Sequence, residues 1–522
     1  MNQRSMPLHL PTQPHDPVVY QELCANNFGV DEMGLLMRRL TKRIFLQSHE
    51  CLRQGWYVYN IEPVEPTSDA DSFRMEQGQL IGQQARLLYP EGVLVDQRSP
   101  SDAARRTATL LGAPDTQVIF EAGFLWNDCT TRADLLVRGN HGWIVKEVKS
   151  ALDGTGQIDE PIDDLAYTVM VAQGSRLVID GCRLLLLSSD YRLGMPPQDM
   201  FVERDVTEEV EVRLPEFAAN LEQIKVVLSR SEPPQARLIG ACRGCDFFQT
   251  ECIGRNLAHP ITEIPRLHKN RLGQLTDQGI VEILSVPDGF PLSETQRITV
   301  ACVKTGREYV GPSLSGDLTR VAWPATYLDF ETVATAIPLY PWVAPYGQVT
   351  TQFSVHICDK PGHVIVHHEF LADPTRDCRR ELAENLLQVL GDQGSVIVYH
   401  AAFERAQLAG LARLLPDLAP QLEAVIARLY DLEVVIRRGY YHPGFRGSYS
   451  IKRVLPVLVP ELSYQGLPIG GGDTAVAKFA RMALGQYSST EAAEIRRQLL
   501  TYCHLDTLAM VELHHRLLGI SS

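Results

Sequence analysis

The chain has no run of eighteen or more apolar residues, so no helical membrane span and no membrane partner are expected. Its polar, proline-rich start (MNQRSMPLHLPTQPHDP) lacks a signal-peptide core and an anchor, which points to the cytoplasm. Cysteine is sparse. Eleven in 522 residues are too few for a disulfide scaffold, and the odd count suits a reducing compartment where clustered cysteines bind metal. Excess positive charge is also lacking: 49 Lys+Arg against 63 Asp+Glu give −14, so any nucleic-acid site is a local basic groove in an acidic exterior. No repeat of the ~20–50-residue class stands out.

What is present is globular composition, 45% hydrophobic and 21% charged, which excludes a disordered, collagen-like or coiled-coil chain. The length allows about three domains of ~150 residues. Residues 1–30 hold Pro7, Pro11, Pro14 and Pro17 and read as a flexible tail. Residues 31–255 mix helices with alternating strands, and RADLLVRGNHGWIVKEVKS sets two such runs around Gly139-Asn140-His141-Gly142, a hairpin signal. A basic helical connector is expected over 256–318. An α/β domain follows over 319–522, closing in a long helix that the capping-box pair Ser488 and Glu491 could start.

Glu147 and Lys149 in KEVKS lie two apart on a strand and share a face, with the Val148 carbonyl beside them. Asp134 on the partner strand brings a second carboxylate, giving the oxygen cage that Mg²⁺ or Mn²⁺ prefers. Lys149 then orients or helps deprotonate a water and offsets charge on a phosphate. An isolated E-x-K pair is common on solvated faces; the spacing across a hairpin, enclosed by cysteines, is more specific. Cys242, Cys245 and Cys252 put three thiols within eleven residues, one short of a Cys₄ site, and Cys51 is the best fourth. A zinc knuckle, or buried cysteines with no metal, remain open at this point.

A second acidic set lies near the C-terminus. Asp329 and Glu331 in YLDFET share a strand face, Glu404 follows an apolar strand, and Tyr502 and Asp506 share a helical face. Four acids and a tyrosine suit two-metal phosphodiester hydrolysis, in which one ion activates water and the other steadies the leaving oxygen. RRGYYHPGFRGSYSIKR combines Arg437, Arg438, Arg446, Lys452 and Arg453 with Tyr440, Tyr441, Phe445 and Tyr449. That mixture reads as a stacking platform for single-stranded bases, or else as a solvated loop with its aromatics tucked into the core.

From about Leu40 to Cys252 these residues resemble the RecB-like PD-(D/E)XK nucleases with an iron–sulfur cluster, the group that includes AddB-type and CRISPR-adaptation nucleases. The resemblance implies a restriction-endonuclease-like fold clipped by a [4Fe–4S] cluster on Cys51, Cys242, Cys245 and Cys252. It also implies a metal site of Asp134, Glu147 and Val148 with Lys149, and a helix motif with Asp163 in a Gln place and Tyr167 in the catalytic set. Where relatives carry GxxxH, GQLIG supplies Gly78 and Gly82, so either Glu76 or Gln83 substitutes or the site uses one metal; Glu121 could also line the cleft. From about 320 to 518 the order DxE, an acid after HxxF, then YxxxD resembles the DnaQ-like DEDDy exonucleases of the RNase H-like fold. That implies Asp329, Glu331, Glu404 and Asp506 as metal ligands and Tyr502 as water orienter, with Glu404 standing where the wider family usually has Asp. The expectation is an α/β nuclease with two sites acting on nucleic acid, DNA favoured and single strands within reach. The alternative is a nucleic-acid-binding scaffold with silent sites, and zinc could replace iron–sulfur.

Overall fold

The computed structural model describes residues 28–30, 36–61, 68–154, 156 and 158–521, and it is a mixed α/β protein with two main sheets. Of the expected tail only Phe28–Val30 is described, as a strand paired antiparallel with Leu36–Arg38. The boundary at residue 30 therefore cuts a ladder, and the rest of the tail lies outside the described residues.

The N-terminal sheet runs Val93–Leu94, Val118–Trp126, Cys129–Arg138, Trp143–Leu152, Ile179–Leu187, Phe201–Asp205, with Leu40–Thr41 added beside Cys129–Arg138. The hairpin expected at Gly139–Gly142 is present: Arg138 faces Trp143, and the Gly139 N–H donates to the Gly142 carbonyl at 2.8 Å. Strands Trp143–Leu152 and Ile179–Leu187 are parallel, which requires a crossover; the helix Asp159–Gly174 supplies it. That helix is apolar on most sides because it is sandwiched between the sheet and the helices Lys42–Glu50 and Thr207–Leu228.

Tyr167 is part of this core, which corrects its expected place in a catalytic set. The residue is fully buried, its ring lies 5.0 Å from that of Phe45, and its hydroxyl donates to the Leu40 carbonyl at 2.6 Å. The bond ties the short strand Leu40–Thr41 to the crossover helix.

The expected connector is not a separate piece. Leu238, Cys242 and Phe248 share one cluster with Ile261, Leu275 and Val300, so the boundary at 255 runs through a small core. Its later part joins the C-terminal domain, where Leu314 and Leu318 pack into a common core and Tyr309–Val310 pairs with Tyr440–Tyr441.

The C-terminal sheet runs His363–Leu371, Val349–Lys360, Ala325–Val333, Val396–Val398, Leu429–Asp431. Numbered along the chain, the order is 3-2-1-4-5, antiparallel among the first three and parallel through the last two. The 33-residue helix Ser489–Ser521 packs across the two central strands. It starts at the expected capping box: Glu491 N–H donates to Ser488 Oγ at 3.4 Å and Ser488 N–H to the Glu491 carboxylate at 2.9 Å. Between the two sheets lies the helix Asp69–Arg86, with Phe73 packed beside Val333 and Tyr340, and Ile81 beside Leu187 and Ala336.

Tyr167→Phe keeps the ring and deletes one buried hydrogen bond. The expected loss is about 1–2 kcal/mol, seen as a lower urea midpoint with an unchanged slope.

Candidate functional site

Three acids converge in the C-terminal domain. Asp329 and Glu331 project from one face of the strand Ala325–Val333, and Asp506 reaches them from the long helix. A carboxylate oxygen from each lies within 4.8 Å of the other two. Tyr502, one turn before Asp506 and buried, sits beside the same carboxyl. Tyr464 donates its hydroxyl to Asp506 Oδ1 at 2.5 Å, and Cys503 Sγ is 3.6 Å from Asp329 Oδ2.

Burial, then Asp506, pushes Glu331 up to about 8. Burial together with Asp506 and Glu331 drives Asp329 well above the usual carboxylate range. Asp506 rises less, to about 6, because Tyr464 and Lys452 offset its burial. Lys452 lays its amine 5.7 Å and 5.4 Å from the ring centres of Tyr464 and Tyr502 and donates to the Gly470 carbonyl at 2.8 Å. The backbone there comes close because it carries no side chains: a Cβ at Gly472 would lie 3.9 Å from Glu331 Oε2, and one at Gly471 would lie 3.1 Å from Lys452 Nζ.

Glu404 stands apart from the trio. Burial pushes it up to about 8, with Asp431 adding to the effect, and its charge raises both Asp329 and Glu331. Its oxygen is not among those that gather within 4.8 Å, and its buried Oε2 has no hydrogen-bond partner. The helix Ala401–Leu414 that carries it is entered through His400 at φ 75°, and Asp431 Oδ2 accepts from the Ala401 N–H at 2.9 Å.

In the N-terminal domain the hairpin sets Asp134 across from Glu147, since Leu135 pairs with Lys146. Asp134 Oδ2 accepts from the Val148 N–H at 2.7 Å, and burial with the Glu147 charge pushes Asp134 up to about 8. Two lysines hold Glu147 below its ordinary value against the effect of burial: Lys42 Nζ is 2.7 Å and Lys149 Nζ 3.2 Å from Oε1. Glu147 Oε2 is buried without a partner. Lys149 also pairs with Asp164, whereas Asp163, the residue expected in the helix motif, faces Arg213. Helical spacing explains the exchange, because a neighbour along a helix turns to another face. Glu76 does not reach this site either; it pairs with Arg481 at 2.5 Å, and Gln83 is exposed. Glu121 is a part-exposed carboxylate paired with Arg86 at 2.7 Å and held at φ 55°, where a side chain is strained.

Cys51, Cys242, Cys245 and Cys252 line one pocket. Arg53 and Tyr57, on the helix after Cys51, tie the segments together by donating to the Pro234 and Glu251 carbonyls at 2.6 Å each. Among the described residues no three thiols gather within 4.8 Å. Four thiolates on a single zinc with ~2.3 Å bonds would lie about 3.8 Å apart. The donor set is soft, the kind a thiophilic metal centre takes.

The expected stacking platform is corrected. Tyr440, Tyr441, Phe445 and Tyr449 are all buried, so they present no ring face to a base. Arg446 pairs with Glu263, Arg437 with Glu433, and Lys452 serves the acidic site. Exposed rings occur instead at Trp342 and Tyr346, in the loop after the Asp329 strand, both at left-handed φ. The residues that sequence reasoning missed are Tyr464, Gly470–Gly472, Lys42 and Asp164. Only the GGGD run was visible as a signal.

Glu331 titrates higher folded than unfolded, so its contribution favours the fold at low pH and fades as pH rises from about 4.5 to about 8. In chelator, wild type should lose several degrees of melting temperature relative to Glu331→Gln between about pH 5 and pH 8. Saturating Mg²⁺ should close that gap, as followed by scanning calorimetry at each pH.

Residues 326–450 match a family described as "Domain of unknown function (DUF2779)", a stretch that takes in Asp329, Glu331 and Glu404 and stops short of Asp506. The chain is similar to "Uncharacterized protein MG366 homolog" of Mycoplasma pneumoniae, 27% identical over 203 residues, 35% of this chain and 31% of that protein. It is likewise similar to "Uncharacterized protein UU173" of Ureaplasma parvum, 26% identical over 210 residues, 36% of this chain and 30% of that one. The matched stretch thus spans about a third of these relatives' length. A solved structure titled "Crystal structure of SSO0001" is 14% identical, with 39% of this chain and 96% of that chain covered at a TM-score of 0.15.

Proposed function

We propose that this chain is a metal-dependent nuclease that hydrolyses phosphodiester bonds of nucleic acid, DNA in the first instance. The observation that carries the reading is the gathering of Asp329, Glu331 and Asp506 oxygens within 4.8 Å, next to Tyr502. The 3-2-1-4-5 sheet that bears them supports the RNase H-like, DEDDy-type expectation. Three crowded, hard oxygen donors and the orphaned Glu404 Oε2 fit Mg²⁺ or Mn²⁺. Such ions, when bound, supply Lewis acidity and lower the pKa of a bound water.

The chain's own groups do the rest. Asp329, Glu331 and Asp506 hold the cations, with Glu404 as the outer acid. The Tyr502 hydroxyl orients the attacking water. Lys452 offsets charge on the phosphate, and the bare backbone at Gly470–Gly472 lets a nucleic-acid strand approach Glu331. Trp342 and Tyr346 offer the exposed rings on which a single strand stacks. In the N-terminal domain Asp134, Glu147 and the Val148 carbonyl would hold one further ion, and Lys149 would orient its water. Because Lys42 already sits on Glu147 Oε1, a second reading is favoured for that site alone: it grips nucleic acid without cutting it.

The four-cysteine pocket suits a [4Fe–4S] cluster, which takes four cysteine thiolates. Its role in this reading is structural, joining the segment after Lys42–Glu50 to the segment Gly240–Asn256.

End-labelled single- and double-stranded DNA and RNA, incubated with Mg²⁺ or Mn²⁺, test the activity. Asp329→Asn should lower cleavage by more than about 100-fold, and Trp342→Ala should raise KM for single strands while leaving kcat. Glu147→Gln decides between cutting and gripping at the first site, according to whether cleavage falls or stays. If wild type leaves every substrate intact, the nuclease reading fails. Protein purified without oxygen should be brown, absorb near ~400 nm and hold iron with sulfide; Cys245→Ser should bleach it. A colourless zinc protein would replace the cluster with zinc.

A further inference from the structure

The long helix also carries polar groups on the side away from Tyr502 and Asp506. His504 there meets His356 and His367, which face each other across the antiparallel strands Val349–Lys360 and His363–Leu371. One ring nitrogen from each of the three lies within 4.8 Å of the others. His367 Nε2 and His504 Nδ1 are 3.3 Å apart. Two nitrogens bound at ~2.0–2.1 Å to a tetrahedral zinc lie about 3.3 Å apart, so this pair already has the edge length of such a site.

The surroundings fit the same purpose. Thr507 Oγ1 is 2.8 Å from His356 Nδ1, and its own hydroxyl reaches the His504 carbonyl at 3.1 Å. In the tautomer that carries its proton on Nδ1, His356 donates to Thr507 and Nε2 keeps its lone pair, the outer-sphere pattern that orients ligating histidines. Ser354 Oγ, 3.0 Å from His367 Nε2 and 2.7 Å from Thr507 Oγ1, stands at the edge of the group and leaves a fourth position for itself or a water. His356 is buried at the floor, while His367 and His504 are partly exposed, so an ion has a way in.

We propose that His356, His367 and His504 form a site for a borderline divalent cation of the zinc class, which clamps the Asp506-bearing helix to the sheet. Imidazole donors select zinc, nickel or copper over Mg²⁺, so this ion differs from those of the acidic site. The position is structural: Ser354, between the histidines and the acids, pairs in register with Asp329.

Zinc titrated into the full chain in excess Mg²⁺, against a competing chelator, tests the site, with zinc-edge absorption reading the donors. Wild type and Asp329→Asn should each hold one more zinc per chain than His367→Gln/His504→Gln, with imidazole nitrogen around it. Retention by Asp329→Asn separates this site from the nuclease reading, which can fail while this one stands. His367→Gln alone changes only an edge strand and should weaken zinc at least tenfold with an unchanged circular dichroism spectrum. Equal zinc in wild type and double variant, loss from Asp329→Asn, or a shell without imidazole would overturn the proposal.

Discussion

Crowded negative charge governs the C-terminal domain. At an effective dielectric of ~20, two unit charges about 5 Å apart repel by about 3 kcal/mol, so three ionised acids cost on the order of 10 kcal/mol. That is comparable with the whole stability of a domain. The fold therefore cannot hold Asp329, Glu331 and Asp506 ionised and bare. Its own relief is partial, a tyrosine hydroxyl and one lysine on the Asp506 side, and the remainder is met by protons. On the nuclease reading proposed above, divalent cations would replace those protons, and binding would exchange protons against metal.

The N-terminal site resolves the same conflict differently. Lys42 and Lys149 sit on Glu147, and Lys149 also meets Asp164, so most of the acid charge is balanced within the protein. Only Asp134 is left to hold a proton at neutral pH. A cation arriving there would have to displace an ammonium group that is already paired, whereas in the C-terminal domain it would meet acids with little internal compensation. The two sites are thus unequal in their internal charge balance although their strands carry acids at similar spacing.

The strand periodicity of the sequence was enough to find Asp134, Glu147, Asp329 and Glu331, because alternation along a strand is a local property. The hairpin turn and the Ser488 capping box were legible for the same reason. The catalytic place of Tyr167 is implied by a motif resemblance alone, and a motif does not tell which way a helix that is apolar on most sides turns each residue. Asp163 and Asp164 differ by one position and point to different partners, a distinction that depends on where Arg213 and Lys149 end up. The aromatic run from Tyr440 to Tyr449 reads as an interface from composition, but the strand pairing of Tyr309–Val310 with Tyr440–Tyr441 turns it inward. Three histidines 137 or more residues apart, apart from the facing pair on adjacent strands, leave no pattern in the chain at all.

The helix Asp69–Arg86 shows why the two halves do not behave as beads on a string. At its C-terminal end Arg86 holds Glu121, whose charge reaches Asp134. Towards its start Asp69 and Glu76 hold Lys478 and Arg481, on the helix Gly472–Ala483 that begins beside Glu331. Gln77, buried between, accepts from the Ala336 N–H at 3.1 Å. Removing either half would expose Phe73 or Ile81 and leave the Gln77 amide or the Ala336 N–H unpaired, and each such loss costs on the order of 1–3 kcal/mol. The contacts that fasten this helix are the same ones that neighbour both acidic sites. With the helix held at both ends, the separation between the two sites is set by packing and not by a linker.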